Sequence, residues 1–204
     1  MKPGYHSPPF SQSRNTPLSS IKEFDAGLIA LGAALNVSIG YLVGLLKLPL
    51  YLDSIGTILI SVLCGWMYGI VVGIASLIIL ALTVTPTVIA YAGTAVVVAV
   101  LSSVFSRAGF LRGTMMTIIG GIFIGIAAAA ASTPVTTFLY GGVSLAGADA
   151  ITTFFKATGM PLWESVLLGS LVTDPADKLI TSLICLGLIK SLPPRIMERI
   201  KRQK

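Results

Sequence analysis

Long apolar stretches with almost no charge dominate the sequence. No Asp, Glu, Lys or Arg occurs between Asp53 and Arg107, and a second uncharged stretch covers residues 113–148. A helix rises ~1.5 Å per residue, so about 20 apolar residues cross the ~30 Å hydrocarbon core of a bilayer. Helices in water need a polar face, and these stretches have none. The pattern therefore predicts an integral membrane protein.

Prolines, glycines and charged residues divide the apolar pattern into helices. The predicted spans are residues 26–46, 54–69, 70–82, 88–105, 113–140 and 162–192, the last interrupted by the polar segment 173–178. Residues 149–158 fit a short surface helix. We predict an all-α fold, a compact bundle of six transmembrane helices, with five or seven spans as alternatives because spans two and three are short.

The two ends of the chain are polar. Residues 1–22 are rich in Ser and Pro and lack the apolar core of a signal peptide, so they predict a disordered tail. Residues 23–192 form the predicted membrane domain, and residues 193–204 a basic tail.

Positive residues are distributed unevenly about the predicted helices. The tails and the loop with Arg107 and Arg112 hold most of them, whereas the opposite loops hold Lys47 and Lys156. Cytoplasmic loops are enriched in Lys and Arg, so both termini are predicted to be cytoplasmic. The net charge of +6 therefore reflects topology, and we expect no nucleic-acid partner.

The sequence lacks residues that several classes of enzyme require. The only histidine, His6, lies in the N-terminal tail, and no phosphate-binding loop of the Walker type occurs. Histidine-based proteolysis, histidine metal sites within the membrane and ATP hydrolysis by that route are therefore not expected. We predict that the protein is not an enzyme.

A polar cluster near the C-terminus is the first candidate site. Asp174, Asp177 and Lys178 lie within an apolar segment, where a charged side chain costs ~2.5–3.5 kcal/mol at mid-bilayer. Two interpretations are open. Asp174 could begin a helix before Pro175 and pair with Lys178 four residues later, or the cluster could contact a ligand.

Aromatic and charged residues near the predicted outer surface are the second candidate site. Lys47, Tyr51 and Asp53 are close in sequence, and Asp53 could instead cap the second span. Three further aromatic residues, which are equally compatible with an interfacial aromatic belt, lie at outer ends: Tyr91, Tyr140 and Trp163.

Small residues recur at every fourth position of the first span. Ala26, Ala30 and Ala34 would lie on one helix face, where small side chains let a second helix approach closely in lipid. This ladder is a candidate partner interface.

The chain resembles the substrate-binding S components of energy-coupling factor (ECF) transporters. The resemblance covers residues ~24–196 and rests on the alanine ladder, the segment 48–57 that enters span two, the Asp-Pro-Ala-Asp-Lys segment 174–178, and the Leu-Pro-Pro-Arg segment 192–195.

The resemblance implies a subunit of an ABC-type transporter in a prokaryotic plasma membrane. Such a subunit binds one vitamin or cofactor precursor from outside, and its partners are a scaffold transmembrane protein and two cytosolic ATPases. The ladder would meet the scaffold, and the outer loops 47–53, 83–91 and 140–161 would line the binding pocket. The sequence is most similar to the cobalamin-specific branch. A stand-alone secondary transporter or channel is the main alternative, and an intramembrane enzyme or assembly protein a further one.

Overall fold

The protein is described by a computed structural model over residues 18–144, 147–193 and Glu198. Within these residues all regular structure is helical, as predicted. The elements are α1 (Leu18–Leu45), α2 (Ile55–Cys64), α3 (Trp66–Thr83), a 3-10 helix (Pro86–Tyr91), α4 (Ala92–Arg107), α5 (Thr114–Phe138), α6 (Asp149–Ala157) and α7 (Leu162–Ser191).

Among the described residues, four segments are long and apolar enough to cross a membrane. They are Ala26–Leu45, Trp66–Thr83, Pro86–Arg107 and Thr114–Phe138. α2 is apolar but has only 10 residues, and α7 carries several charges. The structure thus supports a helical membrane protein with four such helices.

The predicted tails correspond only partly to the structure. α1 already begins at Leu18, so the last residues of the segment 1–22 are helical rather than disordered. Residues 1–17 and nearly all of the basic tail 193–204 lie outside the described residues.

The second helix is shorter than predicted and packs at the centre of the bundle. α2 ends at Cys64, and α3 begins at Trp66, so Gly65 alone separates the two helices, whereas the predicted second span extends to residue 69. Gly65 has a φ of 107°, which an L side chain rarely adopts. Ile55 to Ser61 are all buried, because α2 packs against α1, α3, α4 and α7.

α7 runs unbroken through the polar segment 173–178. It begins at Leu162, with Pro161 as the residue before it, so the interpretation of Asp174 as a helix start is wrong. Pro175 removes one backbone donor from the helix interior. The helix continues nonetheless because α7 packs along α5, the largest helix–helix interface of the fold.

The bundle has two different ends. At one end lie the loop 46–54, the 3-10 helix and the loop after α5; we call it the cavity end. At the other end the loop 108–113 joins α4 to α5, next to Arg107; we call it the arginine end. The main hydrophobic core, which includes Ile58, Phe110 and Leu186, fills the bundle toward the arginine end. Polar side chains gather toward the cavity end.

Candidate functional site

A cavity of about 230 Å³ lies between α1, α2, α3, α4, α5 and α7. Apolar side chains from α3 and α4 line part of its wall, including Leu77, Leu80 and Val98. Its polar lining is formed by Asn36, Tyr51, Asp53, Ser54, Thr57, Ser76, Tyr91, Thr94, Ser132, Thr136, Tyr140, Ser144, Asp174 and Lys178. Apolar walls with a few placed polar groups are typical of small-molecule sites.

Asn36 joins three helices beneath the cavity. Its amide nitrogen donates to Oγ1 of Thr57 at 2.9 Å and to Oγ of Ser76 at 3.0 Å. Its Oδ1 accepts the backbone N–H of Gly56 at 2.6 Å. This N–H lies in the first turn of α2, where backbone donors have no partner within the helix. Asn36 therefore caps α2 from α1, and its side chain is saturated within the protein.

We expect Asn36→Ala to lower the free energy of unfolding by about 2 kcal/mol, because the buried Gly56 N–H loses its acceptor. Thermal unfolding of the purified protein in detergent measures this. Ser38→Ala, an exposed position on the same helix, is the control and should change stability little. An unchanged melting temperature for Asn36→Ala would contradict the capping role.

Lys178 is the centre of an ionic cluster beside the cavity. Its Nζ lies 2.5 Å from Oδ2 of Asp177 and 3.8 Å from Oδ1 of Asp53. The predicted pair of Lys178 with Asp174 is therefore wrong: the lysine pairs with its neighbour Asp177 on α7 and with Asp53 in the loop 46–54. Asp53 does not cap α2 either, since the residue before that helix is Ser54.

Asp177 holds the loop 46–54 in place. Its Oδ1 accepts the backbone N–H groups of Tyr51 at 2.9 Å and Leu52 at 2.7 Å. Leu52 has a φ of 48°, an unfavourable value for a residue with a Cβ. The carboxylate thus stabilises a strained turn that directs Tyr51 and Asp53 to the cavity.

Tyr51 brings a neutral hydroxyl to the cavity. It lies in the loop before α2, outside the helices. Burial, and secondarily the negative charge of Asp174, raises the pKa of the Tyr51 phenol well above its ordinary value of 10.0. The phenol therefore keeps its proton at physiological pH and can donate a hydrogen bond.

Asp174 is a second buried carboxylate, separate from the lysine pair. It lies about 18 Å along α7 from Leu162 and is 5% exposed. Its Oδ2 accepts the hydroxyl of Ser132 on α5 at 3.1 Å. The ion pairs formed by Lys178 within the described residues do not include it. Asp174 thus presents a carboxyl group to the cavity.

Two tyrosines form an aromatic wall at the cavity end. The rings of Tyr91 and Tyr140 are stacked, with centroids 5.7 Å apart and planes inclined by 21°. The Tyr91 hydroxyl shares a hydrogen bond with Thr136, and the Tyr140 hydroxyl donates to Thr87 at 2.8 Å. These contacts join the 3-10 helix to the end of α5 and fix the ring positions.

The structure brings together six of the nine residues predicted as ligand contacts, and these six line the cavity: Tyr51, Asp53, Tyr91, Tyr140, Asp174 and Lys178. The other three do not line it. Lys47 is exposed at the end of α1, and Trp163 packs against Phe138. Asp177 is fully buried by its bonds to the loop and to Lys178.

Sequence reasoning missed the hydroxyl and amide groups of the lining. Asn36 was detectable, since an amide within an apolar helix needs a partner. Ser54, Ser132 and Thr136 gave no comparable signal, because serine and threonine in membrane helices often bond to their own backbone. Only the packing of α2 and α5 places them at one cavity.

The side chains around the cavity can serve as a binding site for a small molecule. Within the described part of the chain, no three metal-ligating side chains gather into a site. A carboxylate, an ion pair, hydroxyls and aromatic rings around one cavity can bind a small polar molecule. The chain matches no family model, no curated protein and no solved structure.

Proposed function

We propose that this protein is the substrate-binding S component of an ECF-type transporter. In this function it binds a vitamin or cofactor precursor at the outer side of the membrane. A scaffold transmembrane protein and two cytosolic ATPases then drive uptake. The observation that carries the proposal is the cavity. Polar, charged and aromatic side chains line it, although the bundle around it consists mainly of apolar helices.

The proposed direction of uptake follows from the positions of the positively charged residues. Arg107 and Arg112 lie at the arginine end, and the rule for positive residues assigns that end to the cytoplasm. The cavity lies toward the opposite end, so it would open to the outside. With α2 and the 30-residue α7 counted as crossings, six spans would place both termini in the cytoplasm.

The volume of the cavity limits the size of the ligand that it can enclose. About 230 Å³ is below the ~300–1,000 Å³ that is typical of small-molecule sites. A compact vitamin fits this scale, whereas a corrinoid would place only part of itself inside. Cobalamin, which the sequence resemblance favours, stays a prediction to be tested beside smaller vitamins.

The loops at the cavity end support a gate for such a ligand. Gly147 lies so close to the loop 46–54 that a Cβ there would overlap the carbonyl oxygens of Lys47 and Leu48. The loop after α5 thus touches the loop that carries Tyr51 and Asp53. Separation of these two segments would open a path to the cavity.

The face of α1 that carries the alanine ladder supports a partner. Ala26, Ala30 and Ala34 are all exposed, so the ladder is not used for packing inside the bundle. The opposite face, with Gly32, is buried. An exposed row of small side chains suits close contact with another membrane helix.

Two measurements test the proposal. Native mass spectrometry of the purified protein should find a retained small molecule. Vesicles holding the protein together with an ECF module should take up that molecule only with ATP. Uptake driven by an ion gradient without any ATPase would favour a secondary transporter, and a protein without ligand would contradict the proposal.

We expect Ala30→Trp to reduce ATP-dependent uptake at least ~10-fold and to leave ligand affinity unchanged. The indole would keep a partner helix away from α1, and Ala30 lies on an exposed face rather than at the cavity. Ala130→Trp, at an exposed alanine of α5, is the matched control and should transport normally. Equal loss of uptake in both variants would contradict a specific interface on α1.

A further inference from the structure

The ionisable side chains at the cavity are not balanced in charge. Asp53 and Asp177 pair with Lys178, which is the only cation that lines the cavity within the described residues, and Asp174 lies one helical turn before it on α7. Asp174, Asp177 and Lys178 are each at most 5% exposed. Three carboxyl groups thus lie near one ammonium group, and a buried charge is stable only when it is paired.

Asp177 and Lys178 already satisfy each other. One carboxylate oxygen of Asp177 accepts two backbone N–H groups, and the other binds Lys178. The second carboxylate near Lys178 is that of Asp53, whose Oδ1 lies 3.8 Å from Nζ. This leaves Asp174 as the cavity carboxyl that forms no ion pair within 4 Å among the described residues; its hydrogen-bond partner is the neutral hydroxyl of Ser132.

A second observation points to a missing ligand at the same place. Ser54 is 7% exposed and lines the cavity, and its hydroxyl has no hydrogen-bond partner. The hydroxyl of Thr94, across the cavity on α4, is also buried without a partner. Buried polar groups are rarely left unsatisfied, so a ligand or an ordered water in the cavity would satisfy these two hydroxyls.

The aromatic side chains that line the cavity also favour a positively charged ligand. Tyr51, Tyr91 and Tyr140 line the cavity together with Asp174. Aromatic faces beside a carboxylate are a common way to bind organic cations, because the ring face and the carboxylate both attract positive charge. A metal ion is a poor alternative, since the described residues do not gather three metal-ligating side chains and the cavity is far larger than an ion.

We infer that the cavity binds a small organic cation, with its positive nitrogen against Asp174, its apolar part beside the tyrosines and a polar group near Ser54. The inference rests on the proposed function, because it takes the cavity as the site of the transported molecule. It narrows the ligand to molecules with a permanent or protonated positive nitrogen.

The test compares probes that differ in charge. The cationic probes are thiamine, 1-methylnicotinamide and choline; the neutral probes are nicotinamide, riboflavin and cyanocobalamin; the anionic probes are nicotinate, biotin and pantothenate. Binding to the purified full chain is measured by calorimetry, and native mass spectrometry identifies any molecule retained from the expressing cell. We expect the tightest probe and the retained molecule both to be cations.

Asp174→Asn provides the second arm. It keeps an oxygen for Ser132 and removes the charge, so we expect the affinity for the bound cation to fall roughly 100-fold. Glu164→Gln, an exposed acid on the same helix, is the matched control and should bind as the unaltered protein does.

The possible outcomes distinguish a failure of this inference from a failure of the proposed transport function. A neutral or anionic molecule as the tightest ligand, or a cation whose affinity Asp174→Asn leaves unchanged, overturns the inference and leaves the proposed transport function standing. Absence of any retained molecule, together with no binding by any probe, counts against both. Because the wild-type chain alone decides the charge of the ligand, the inference stays testable even if Asp174→Asn fails to fold.

Discussion

Asp177→Ala should destabilise the protein by about 3 kcal/mol and release the loop 46–54. The change removes the closest partner of Lys178, leaving a buried ammonium with only the distant Asp53. It also removes the acceptor of the Tyr51 and Leu52 backbone N–H groups. Thermal unfolding reports the first effect, and hydrogen exchange at these two amides reports the second.

Asp177→Asn separates the two effects. Its amide oxygen can still accept both backbone N–H groups, whereas the charge opposite Lys178 is gone. We therefore expect lowered stability with the loop amides still protected. Glu164→Ala, at an exposed acid on the same helix, should leave both observables unchanged. If Asp177→Ala kept the amides of Tyr51 and Leu52 protected, the loop would be held by other contacts and the role of Asp177 would be wrong.

Gly125→Leu should destabilise the bundle by about 3 kcal/mol or more and abolish ligand binding. A Cβ at Gly125 would overlap the Cα of Pro175 and the carbonyl oxygen of Asp174. Both are backbone atoms, so rotamer changes cannot relieve the clash, and α7 must move away from α5. That movement displaces Asp174 from Ser132 and changes the cavity.

Gly187→Leu is the matched control for this close approach. Gly187 lies on the same helix α7, and nothing lies within 4 Å of a Cβ built there. A side chain at this position should be tolerated, and the loss of glycine from a helix interior favours stability by up to ~1 kcal/mol. Melting temperature and ligand affinity check both variants. Similar behaviour of the two variants would contradict the importance of the α5–α7 contact.

The sequence was informative about the lipid-facing part of the fold. Long uncharged stretches allow little except helices in a bilayer, because every backbone polar group must be paired within its own segment. The starts and ends of α3, α4 and α5 were therefore predicted to within a few residues. The boundaries around α2 were less accurate, since the chain there is uniformly apolar and one glycine, Gly65, makes the whole turn.

The polar cluster on α7 shows the limit of local reasoning. Asp174, Pro175 and Lys178 fit a helix start followed by a pair at four-residue spacing, and local rules favour that interpretation. Tertiary contacts override it. Gly125 lets α5 pack against Pro175, and Asp53 and Asp177 attract Lys178 away from Asp174.

The sequence by itself determined that this is a helical membrane protein. It also showed that a few ionic side chains lie within apolar segments, where they need a partner or a ligand. Both points follow from composition, because the free-energy cost of a charge in lipid does not depend on the fold. The tertiary structure alone decided which of those groups pair with each other and which remain open to a ligand. That outcome depends on distances between residues more than a hundred positions apart, such as Tyr51 and Asp177, and no local pattern encodes them.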